Sequence, residues 1–492
     1  MALIHILTEA IGRHRAEVAV VEGEESHTYG ELDALSARMA GGLRERGVGS
    51  GDLVAVYATR SWLRCAAVLA AWRVGAGVVS LDPGLPRPRT ERILRGAGAA
   101  LLVREDGSAE AGFDLAECSF GDLGAGAASP ELAEGPIAYV IPTSGSTGEP
   151  KSVAVPPVVL EDLAVWHREH WVHDVPPHTL HAASIGFDVV YEDMVATWLV
   201  GARLVMVDDQ QRRDAFELVP LIRRHEVARL FMPVGALHGM AMVTTLGGES
   251  IPSVREIAVA GEQLVINDEV REMCGDGRIR LVNQYGPSET HVITQHRLDG
   301  DTRDWPDRPP IGVAVVGAEL LCAEDGRVRP YRPGETAELI AAGDCVGVGY
   351  LGDEALTKEK FQDLVHVDGG LRRCYSTGDL VRYDGEVYWF VSRVDDQVKV
   401  NGYRVEPGEV EAVLARVAGV RRALVLCVRG QGTNQLAAFY VPQDGSVTEA
   451  DLRDACAREL PGYMVPRHFV RMDAFPVNAN GKIDRALLMG MV

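Results

Sequence analysis

The segment Thr143-Ser144-Gly145-Ser146-Thr147-Gly148-Glu149-Pro150-Lys151 directly follows the apolar run Ile137–Ile141. Its small residues allow the backbone to curl so that N–H groups and hydroxyls converge on phosphate oxygens, and Lys151 adds a positive charge. It is not a Walker A loop, because Pro150 precedes the lysine where that motif needs glycine. Taken alone, the segment could equally be a flexible surface turn. Behind an apolar strand, it is a candidate phosphate loop.

Short apolar runs alternate with longer helical patterns around this segment. A capped amphipathic helix is predicted for residues 26–48, with Leu32, Leu35 and Met39 on one face. Helical spacing also occupies residues 62–75. The apolar runs of strand type are Leu53–Tyr57, Val78–Leu81, Ala99–Val103, Arg203–Val207, Leu230–Met232 and Glu256–Val259. This alternation is typical of βαβ units with mostly parallel sheets.

The character of the sequence changes after residue 300, where proline and glycine become frequent and the strands become short and alternating. This predicts a smaller, more antiparallel β subdomain. From about residue 396 the pattern predicts a compact α+β unit, with helices at 407–417 and 448–460 and strands at 422–428 and 435–441. The predicted fold class is α/β: a large N-terminal domain of layered βα sheets with a small β subdomain, followed by a small α+β C-terminal domain.

Length and charge limit the possible functions. A chain of 492 residues is too long for one ordinary core, so at least two domains are expected. A net charge of −21 repels phosphate backbones and anionic membranes, which argues against nucleic-acid and membrane partners. An anionic nucleotide would therefore need Mg²⁺, backbone N–H groups and a few placed cations. Scattered cysteines and a start with neither a basic nor a long apolar stretch favour a cytoplasmic protein.

Further segments carry groups suited to a nucleotide. In Asn283-Gln284-Tyr285-Gly286-Pro287-Ser288-Glu289-Thr290, Tyr285 offers a ring for stacking on adenine and Glu289 a carboxylate for Mg²⁺, although an ordinary turn with a capping glutamate would look the same. In Tyr375-Ser376-Thr377-Gly378-Asp379-Leu380, the carboxylate of Asp379 suits a pair of ribose hydroxyls. The remaining segments are Ser392–Glu409 and Asn480–Arg485; the latter contains Lys482 and, taken singly, reads as a solvated tail.

In this order and spacing, the segments resemble the adenylate-forming superfamily of acyl- and aryl-CoA ligases, luciferases and nonribosomal peptide synthetase adenylation domains. The chain most resembles a free-standing amino-acid adenylation enzyme of the nonribosomal kind. The resemblance covers essentially the whole chain. It therefore outweighs the interpretation of each segment, taken alone, as an ordinary turn or a solvated tail. Further matching stretches are Thr28–Leu32, Leu81–Pro83, Ala260–Glu262 and Gly347–Leu351.

The resemblance implies a role for each matching residue. Lys482 corresponds to the mobile catalytic lysine, Arg393 to the arginine near ribose and phosphate, and Asp395 to the hinge. The hinge puts the domain boundary between residues 394 and 395, giving a nucleotide- and amino-acid-binding core of 1–394 and a mobile domain of 395–492. Glu289 corresponds to the metal carboxylate. The implied nucleotide-binding residues are Thr143, Ser144, Gly145, Ser146, Thr147, Gly148, Lys151, Gly261, Glu262, Asn283, Tyr285, Gly286, Ser288, Asp379 and Arg393.

The same resemblance implies the reaction and its partners. An amino acid reacts with ATP, assisted by Mg²⁺, to give aminoacyl-AMP and pyrophosphate, and the C-terminal domain then rotates to admit the phosphopantetheine thiol of a separate carrier protein. A small MbtH-like activator protein is a further possible partner. Free-standing status is expected because the sequence shows no carrier or condensation motif. The chain departs from the family at Pro142, Ser152 and Ser392, which should alter loop stiffness rather than activity.

The substrate pocket is implied by the match around Phe187–Met194. There Asp188 corresponds to the aspartate that pairs with the substrate amine, which favours an amino acid over an aryl or fatty acid. The pocket resembles those that select proline, except at Glu192 and Gln284. Glu192 could face a second amine of a diamino acid, help to hold a β-amino acid, or simply bond to Gln284. The implied substrate-binding residues are Phe187, Asp188, Val189, Glu192, Phe231, Ala258, Ala260, Gln284, Val292, Ile293 and Lys482.

Other functions remain to be weighed against this one. An acyl- or aryl-CoA ligase of the same superfamily shares the nucleotide motifs but would not need Asp188. A tRNA-charging enzyme is disfavoured by the acidic chain. A regulator that binds nucleotide without catalysis is disfavoured because Lys482, Glu289, Asp379 and Arg393 are all present.

Overall fold

The computed structural model describes residues 2–107, 112–129, 131–145, 148–275, 277–395, 397–400, 402–429, 434–443, 447–477 and 483–492. Two compact units are present. The first consists of Met1–Pro83, Ala97–Ile141 and Ser152–Val394, and the second of Gly84–Gly96, Pro142–Lys151 and Asp395–Val492. The predicted two-domain boundary at residue 394 stays a prediction, and the second unit also takes in two short segments from earlier in the chain.

The helices predicted at 26–48, 62–75, 407–417 and 448–460 are present, with ends within three residues of the predicted positions. In chain order the helices are α1 (Leu3–Arg13), α2 (Tyr29–Glu45), α3 (Trp62–Arg73), α4 (Arg87–Ala97), α5 (Phe120–Gly124), α6 (Pro157–His170), α7 (Val189–Trp198), α8 (Ala215–Arg224), α9 (Val234–Thr245), α10 (Asp268–Cys274), α11 (Glu354–Lys360), α12 (Pro407–Ala415), α13 (Glu449–Glu459) and α14 (Arg485–Met489).

The strands are numbered in the same way. They are β1 (Val18–Glu22), β2 (Glu25–Thr28), β3 (Leu53–Tyr57), β4 (Gly77–Leu81), β5 (Leu101–Arg104), β6 (Glu117–Ser119), β7 (Tyr139–Thr143), β8 (Lys151–Val155), β9 (Thr179–His181), β10 (Leu204–Met206), β11 (Arg229–Pro233), β12 (Glu256–Ala260), β13 (Arg280–Tyr285), β14 (Thr294–Leu298), β15 (Val313–Ala314), β16 (Ala318–Glu324), β17 (Arg327–Pro330), β18 (Thr336–Gly343), β19 (Gly349–Leu351), β20 (Phe361–Val365), β21 (Leu371–Tyr383), β22 (Tyr388–Arg393), β23 (Val398–Val400), β24 (Tyr403–Val405), β25 (Val420–Arg429), β26 (Asn434–Pro442) and β27 (His468–Arg471).

Two large, mostly parallel sheets form the first unit. One has the strand order β15-β14-β13-β12-β11-β9-β10-β1-β2, and is parallel from β13 to β1 with antiparallel strands at both edges. The other has the order β19-β8-β7-β4-β3-β5-β6. Helices connect most of the parallel strands, as right-handed βαβ crossovers require. The predicted α/β architecture is confirmed.

A third sheet follows residue 300 and is antiparallel throughout. Its order is β17-β16-β18-β21-β20, and β22 pairs with β21. This is the small β subdomain that the sequence predicts, and the long strand β21 carries Asp379 into its hydrogen-bonded ladder with β22.

The second unit has a small core of its own around a three-stranded sheet of order β25-β26-β27. Helices α12 and α13 pack beside this sheet with the hairpin β23–β24. Strand β27, which runs parallel to β26, was not predicted, because its sequence His468-Phe469-Val470-Arg471 alternates too briefly to stand out. The buried core side chains include Val410, Leu414, Leu436, Leu452 and Met464.

No helix in the described part of the chain combines the length and the apolar character that crossing a membrane needs.

Candidate nucleotide and amino-acid site

The predicted ribose carboxylate lies between two of the other predicted nucleotide residues. Asp379 on β21 stands opposite Arg393 on β22 in the ladder, and Arg393 Nη1 donates a hydrogen bond to Asp379 Oδ1 at 2.6 Å. Tyr285 at the end of β13 donates from its hydroxyl to Asp379 Oδ2, also at 2.6 Å. Burial raises the pKa of Tyr285 well above its ordinary value, and the charge of Asp379 raises it further. The carboxylate is thus rigidly held by a cation and a phenol.

The turn after β13 is built around a glycine that has no room for a side chain. A Cβ atom on Gly286 would lie 1.6 Å from the backbone oxygen of His291. His291 itself has a positive φ of 56°, an uncommon conformation for a residue with a side chain. The turn places Glu289 in the interior, fully buried, where its carboxylate accepts a hydrogen bond from Tyr350 at 2.7 Å. The tight turn therefore fixes the position of the predicted metal carboxylate.

Gly286→Ala should lower the melting temperature and the activity together. Overlap with a backbone atom is relieved only by moving the turn, and such overpacking lowers the free energy of unfolding by about 1–3 kcal/mol. Each kcal/mol lowers the melting temperature by about 2–4 °C in proteins of moderate size. Differential scanning fluorimetry and an adenylation assay measure the two effects. Gly239→Ala is the matched control, because a Cβ at this position in α9 meets nothing within 4 Å. Equal melting temperatures for the two variants would contradict the steric argument.

The phosphate-loop residues belong to the second unit, where their donor groups contact carboxylate and carbonyl oxygens of the protein. The Gly145 N–H donates to Glu409 Oε2 at 3.2 Å, and Glu409 is fully buried. Lys151 Nζ lies 3.7 Å from Glu406 Oε1. Ser144 Oγ donates to the Arg404 carbonyl and accepts the Glu406 N–H, both at 3.0 Å. Two carboxylates and one backbone carbonyl therefore hold the donors of this loop, and its role in phosphate binding stays a prediction.

Helix α7 carries the predicted amine-binding carboxylate at its start. Asp188 is the N-cap residue, and its Oδ1 accepts the Val189 N–H at 2.9 Å. The side chain is half-buried, and burial raises its pKa. Glu192 lies four residues further on, so the two carboxylates project from the same face of the helix one turn apart.

Glu192 is fully buried at the centre of a polar cluster. Its Oε1 accepts a hydrogen bond from Gln284 Nε2 at 2.9 Å and lies 2.7 Å from His167 Nε2. Burial alone would raise the pKa of Glu192, but the hydrogen bond from His167, the charges of His291 and His167, and the hydrogen bond from Gln284 outweigh it and lower the pKa. The hydrogen bond between Glu192 and Gln284 that the sequence offered as one alternative is therefore present, and His167 shares the same oxygen.

Apolar side chains from neighbouring strands pack next to this cluster. Phe231 on β11 and Ala258 on β12 are paired in register and form a small buried cluster with Val282 and Val189. His167 meets the Phe231 ring edge-on, with centroids 5.4 Å apart. The other predicted wall residues are half-buried Phe187 and Ala260 and buried Val292 and Ile293.

The remaining predicted site residues differ in exposure, contacts and backbone conformation. The Asn283 amide is buried and donates to the Pro310 carbonyl at 2.8 Å, which fixes the loop before β15. Asp395 is exposed and its Oδ1 accepts the Gln397 N–H at 3.2 Å. Gly261 has a φ of 93°, and Gly148 one of 86°. Glu262 and Ser288 are half-buried, whereas Ser146, Thr147 and Lys482 lie outside the described residues.

Sequence reasoning missed the two histidines and the tyrosine around Glu192. His167 on α6 is distant in sequence, and His291 directly precedes two of the predicted wall residues. Tyr139 on β7 stacks on Tyr191 at 4.5 Å and meets the His291 ring edge-on at 6.1 Å. A histidine in the turn after Glu289 was the one available signal, since its neighbours Val292 and Ile293 were already assigned to the pocket.

Metal binding at Glu289 would depend on phosphate oxygens. No group of three His, Cys, Asp or Glu side chains within the described ranges has the arrangement of a metal site. Mg²⁺ commonly uses one or two carboxylates together with substrate phosphates, and a single fully buried carboxylate that is fixed by Tyr350 fits that role.

The family model for AMP-binding enzymes matches residues 7–351, and that for the AMP-binding enzyme C-terminal domain matches residues 409–482. The chain belongs to the AMP-binding enzyme family. The first match includes the site residues Asp188, Glu192, Tyr285 and Glu289. The predicted membership of the adenylate-forming superfamily, with the resemblance to nonribosomal peptide synthetase adenylation domains, is confirmed.

Relatives and solved structures agree with this membership. Gramicidin S synthase 2 of Brevibacillus brevis is 32% identical over 495 residues, which cover 98% of this chain and 11% of that protein. The structure of holo-PA1221, an NRPS protein containing adenylation and PCP domains bound to a vinylsulfonamide inhibitor, has a TM-score of 0.88 and 25% identity and covers 100% of this chain and 84% of that chain. NpsA-ThdA, an artificially fused adenylation–PCP di-domain from Klebsiella oxytoca, has a TM-score of 0.84 and 24% identity over 96% of this chain and 94% of that chain, which shows the shared fold.

Proposed function

We propose that this family member activates an amino acid as aminoacyl-AMP with release of pyrophosphate and then transfers the acyl group to the phosphopantetheine thiol of a carrier protein. The proposal rests on the burial and the surroundings of Asp188. This residue is half-buried at the start of α7, burial raises its pKa, and no salt bridge to it is found within the described ranges. A carboxylate in this state gains most from an incoming ammonium, because an ion pair offsets the cost of burial.

The chemistry joins two anions, so charge neutralisation is its main requirement. The substrate carboxylate oxygen attacks the α-phosphorus of ATP, a new O–P bond forms, and the bond to the β-phosphate oxygen breaks as pyrophosphate leaves. The thiol then attacks the acyl carbon and AMP departs. In the proposed arrangement Asp379 holds the ribose, Tyr285 contacts adenine and Lys482 stabilises the charge that develops in the first step. Mg²⁺ at Glu289 would neutralise phosphate charge.

A carrier protein as acceptor is supported by relatives whose described structures join adenylation and PCP domains. The proposed acceptor is a separate carrier protein. A small MbtH-like protein is proposed as an activator and is added to the assay. The proposed substrates are proline-like imino acids on one side and diamino or β-amino acids on the other, as the pocket residues around Glu192 suggest.

ATP–pyrophosphate exchange over a panel of proteinogenic, imino, diamino and β-amino acids tests the first half-reaction. At least one amino acid should support exchange far above the level of its deaminated analogue. Intact-protein mass spectrometry of a phosphopantetheinylated carrier protein tests the second half-reaction, with free coenzyme A as a parallel acceptor. Exchange driven best by acids without an amine, with thioester formed on coenzyme A, would instead establish an acyl-CoA ligase.

Lys482→Ala should lower the rate of adenylation roughly 100-fold, as expected for the loss of one transition-state charge partner. The change should leave ATP binding, measured by isothermal titration calorimetry, nearly unaltered. Lys358→Ala is a control that removes an exposed lysine from α11. Undiminished exchange in the Lys482 variant would remove this residue from the proposed mechanism.

A further inference from the structure

One buried acceptor of the pocket cluster has no partner. Glu192 is fully buried, and both of its hydrogen-bonded neighbours, Gln284 and His167, contact the same oxygen, Oε1. The other oxygen, Oε2, is buried without a hydrogen-bond partner in the described structure. A buried ionised oxygen without a donor is costly, so its retention points to a group that arrives from outside the protein.

His291 does not supply the missing donor. Its Nδ1 lies 3.9 Å from Glu192 Oε2, which is too far for a hydrogen bond. The same Nδ1 accepts the backbone N–H of Val292 at 2.8 Å, and Nε2 is itself buried without a partner among the described residues. The ring therefore cannot turn a proton towards Glu192 without losing the bond to Val292.

The nearby arginine forms no hydrogen bond with Glu192, although its buried Nη1 has no partner among the described residues. Burial lowers the pKa of Arg229, whereas the charges of Glu256 and Glu192 raise it. Its hydrogen bond goes to Glu256 Oε1 at 3.2 Å and its guanidinium lies over the Trp171 ring at 4.5 Å. Arg229 thus contributes to the field around Glu192 without saturating its second oxygen.

Two carboxylates one helical turn apart fit a substrate with two positive groups. Residues four apart on a helix have Cβ atoms about 5–6 Å from each other. This is of the order of the separation between the two nitrogens of an amino acid with a short aliphatic, amine-ended side chain. Phe231, Ala258 and Val189 provide apolar contacts for the methylene groups between them.

We propose that the pocket selects an α-amino acid whose side chain ends in a second amine, with the α-ammonium on Asp188 and the side-chain ammonium on Glu192 Oε2. The inference rests on the proposed function, because it assigns the substrate class of the same site. It also assigns His167 and Gln284 as positioning residues that hold Glu192 through its other oxygen.

ATP–pyrophosphate exchange with matched pairs of amino acids tests the proposal on the unaltered protein. Ornithine and 2,4-diaminobutyrate are compared with norvaline and 2-aminobutyrate, which have the same carbon chains without the second amine, and with proline. The diamino acids should have kcat/KM values about 100-fold or more above those of their matched partners, because a buried polar group left unpaired penalises the analogue that lacks the donor. Most of this difference should appear in KM.

A second experiment repeats the comparison of ornithine and norvaline with the Glu192→Gln variant. The variant keeps the shape of the side chain and removes its charge, so the preference for ornithine over norvaline should fall below about 10-fold. Glu217→Gln, an exposed change on α8, is the matched control and should keep the full preference.

The outcomes distinguish failure of the substrate assignment from failure of the proposed function. If proline or norvaline equals ornithine with the unaltered protein, the substrate assignment is overturned while the proposed amino-acid activation stands. If no amino acid in the panel supports exchange, the proposed function fails and the assignment with it. The comparison of substrates on the unaltered protein remains decisive even if the Glu192 variant does not fold.

Discussion

Asp188→Asn should lower kcat/KM for the amino acid by about 1,000-fold or more and should also raise the melting temperature of the ligand-free protein. The loss of activity follows from the proposed ion pair, because a site built to bind a polar substrate group discriminates by about 10⁴–10⁵-fold when the pairing is lost. Asparagine has nearly the same shape as aspartate, so the change removes charge rather than volume. The exchange assay and differential scanning fluorimetry measure both effects on the same preparation.

The gain in stability follows from the sign of the pKa shift. Burial raises the pKa of Asp188 in the folded protein, so the folded state holds its proton to a higher pH than the unfolded state. This carboxyl therefore lowers stability progressively as the pH rises from the unfolded pKa through the raised folded pKa. The advantage of the asparagine variant should be largest at pH 7–8 and should shrink towards acidic pH.

Asp268→Asn is the control, because this exposed residue at the start of α10 lies outside the proposed site. It should change neither the exchange rate nor the melting temperature appreciably. Retention of activity by the Asp188 variant would refute its role as the amine anchor, and a lower melting temperature would show that its charge stabilises the ligand-free fold.

Asp379→Ala should lower kcat/KM for ATP by about 1,000-fold, mainly through KM. The change leaves the Arg393 guanidinium and the Tyr285 hydroxyl without the carboxylate to which both donate at 2.6 Å. Removing one partner of a buried charged pair costs about 3–5 kcal/mol, and the proposed ribose hydroxyls lose their acceptor at the same time. The KM for the amino acid should change much less, because its proposed contacts lie on α7, β11 and β13.

Exchange kinetics at varied ATP and calorimetric titration of ATP measure this effect. Asp379→Asn should be intermediate, since an amide keeps one acceptor oxygen for Arg393 or Tyr285. Asp363→Ala, an exposed change on β20 of the same sheet, is the control and should leave the KM for ATP unaltered. If the alanine variant at position 379 binds ATP as the unaltered protein does, the nucleotide is held by other groups.

The sequence predicted those elements whose signals are local. Thr28 and Glu31 form the capping box that begins α2, with both reciprocal hydrogen bonds present. The faces of this helix follow from spacing, and Leu32 and Met39 are fully buried. The parallel strands β3, β4, β5, β7, β10, β11 and β12 were predicted as apolar runs, since burial on both faces leaves few polar positions in them. The parallel strands β1, β6, β9 and β13 were not predicted.

The polar contacts of the site could not be read in the same way. The bond between Glu192 and Gln284 joins a helix to a strand 92 positions later, and His167 approaches the same oxygen from a third element. The structural role of Asn283 depends on the Pro310 carbonyl, which no local pattern connects to it. Such contacts are set by the packing of sheets and helices, so the sequence offered the Glu192–Gln284 bond only as one alternative and gave no sign of the contacts with His167 or the Pro310 carbonyl.

The carboxylates at the phosphate loop bear on how nucleotide binding responds to its environment. Glu409 already engages the Gly145 N–H and Glu406 lies close to Lys151. Under the proposed function, arrival of a triphosphate would therefore exchange one anion for another. Inorganic phosphate and other small anions would compete with tethered side chains whose local concentration is high, whereas a polyanion with several simultaneous contacts would overcome that competition. The proposed loop would then prefer whole nucleotides over their fragments.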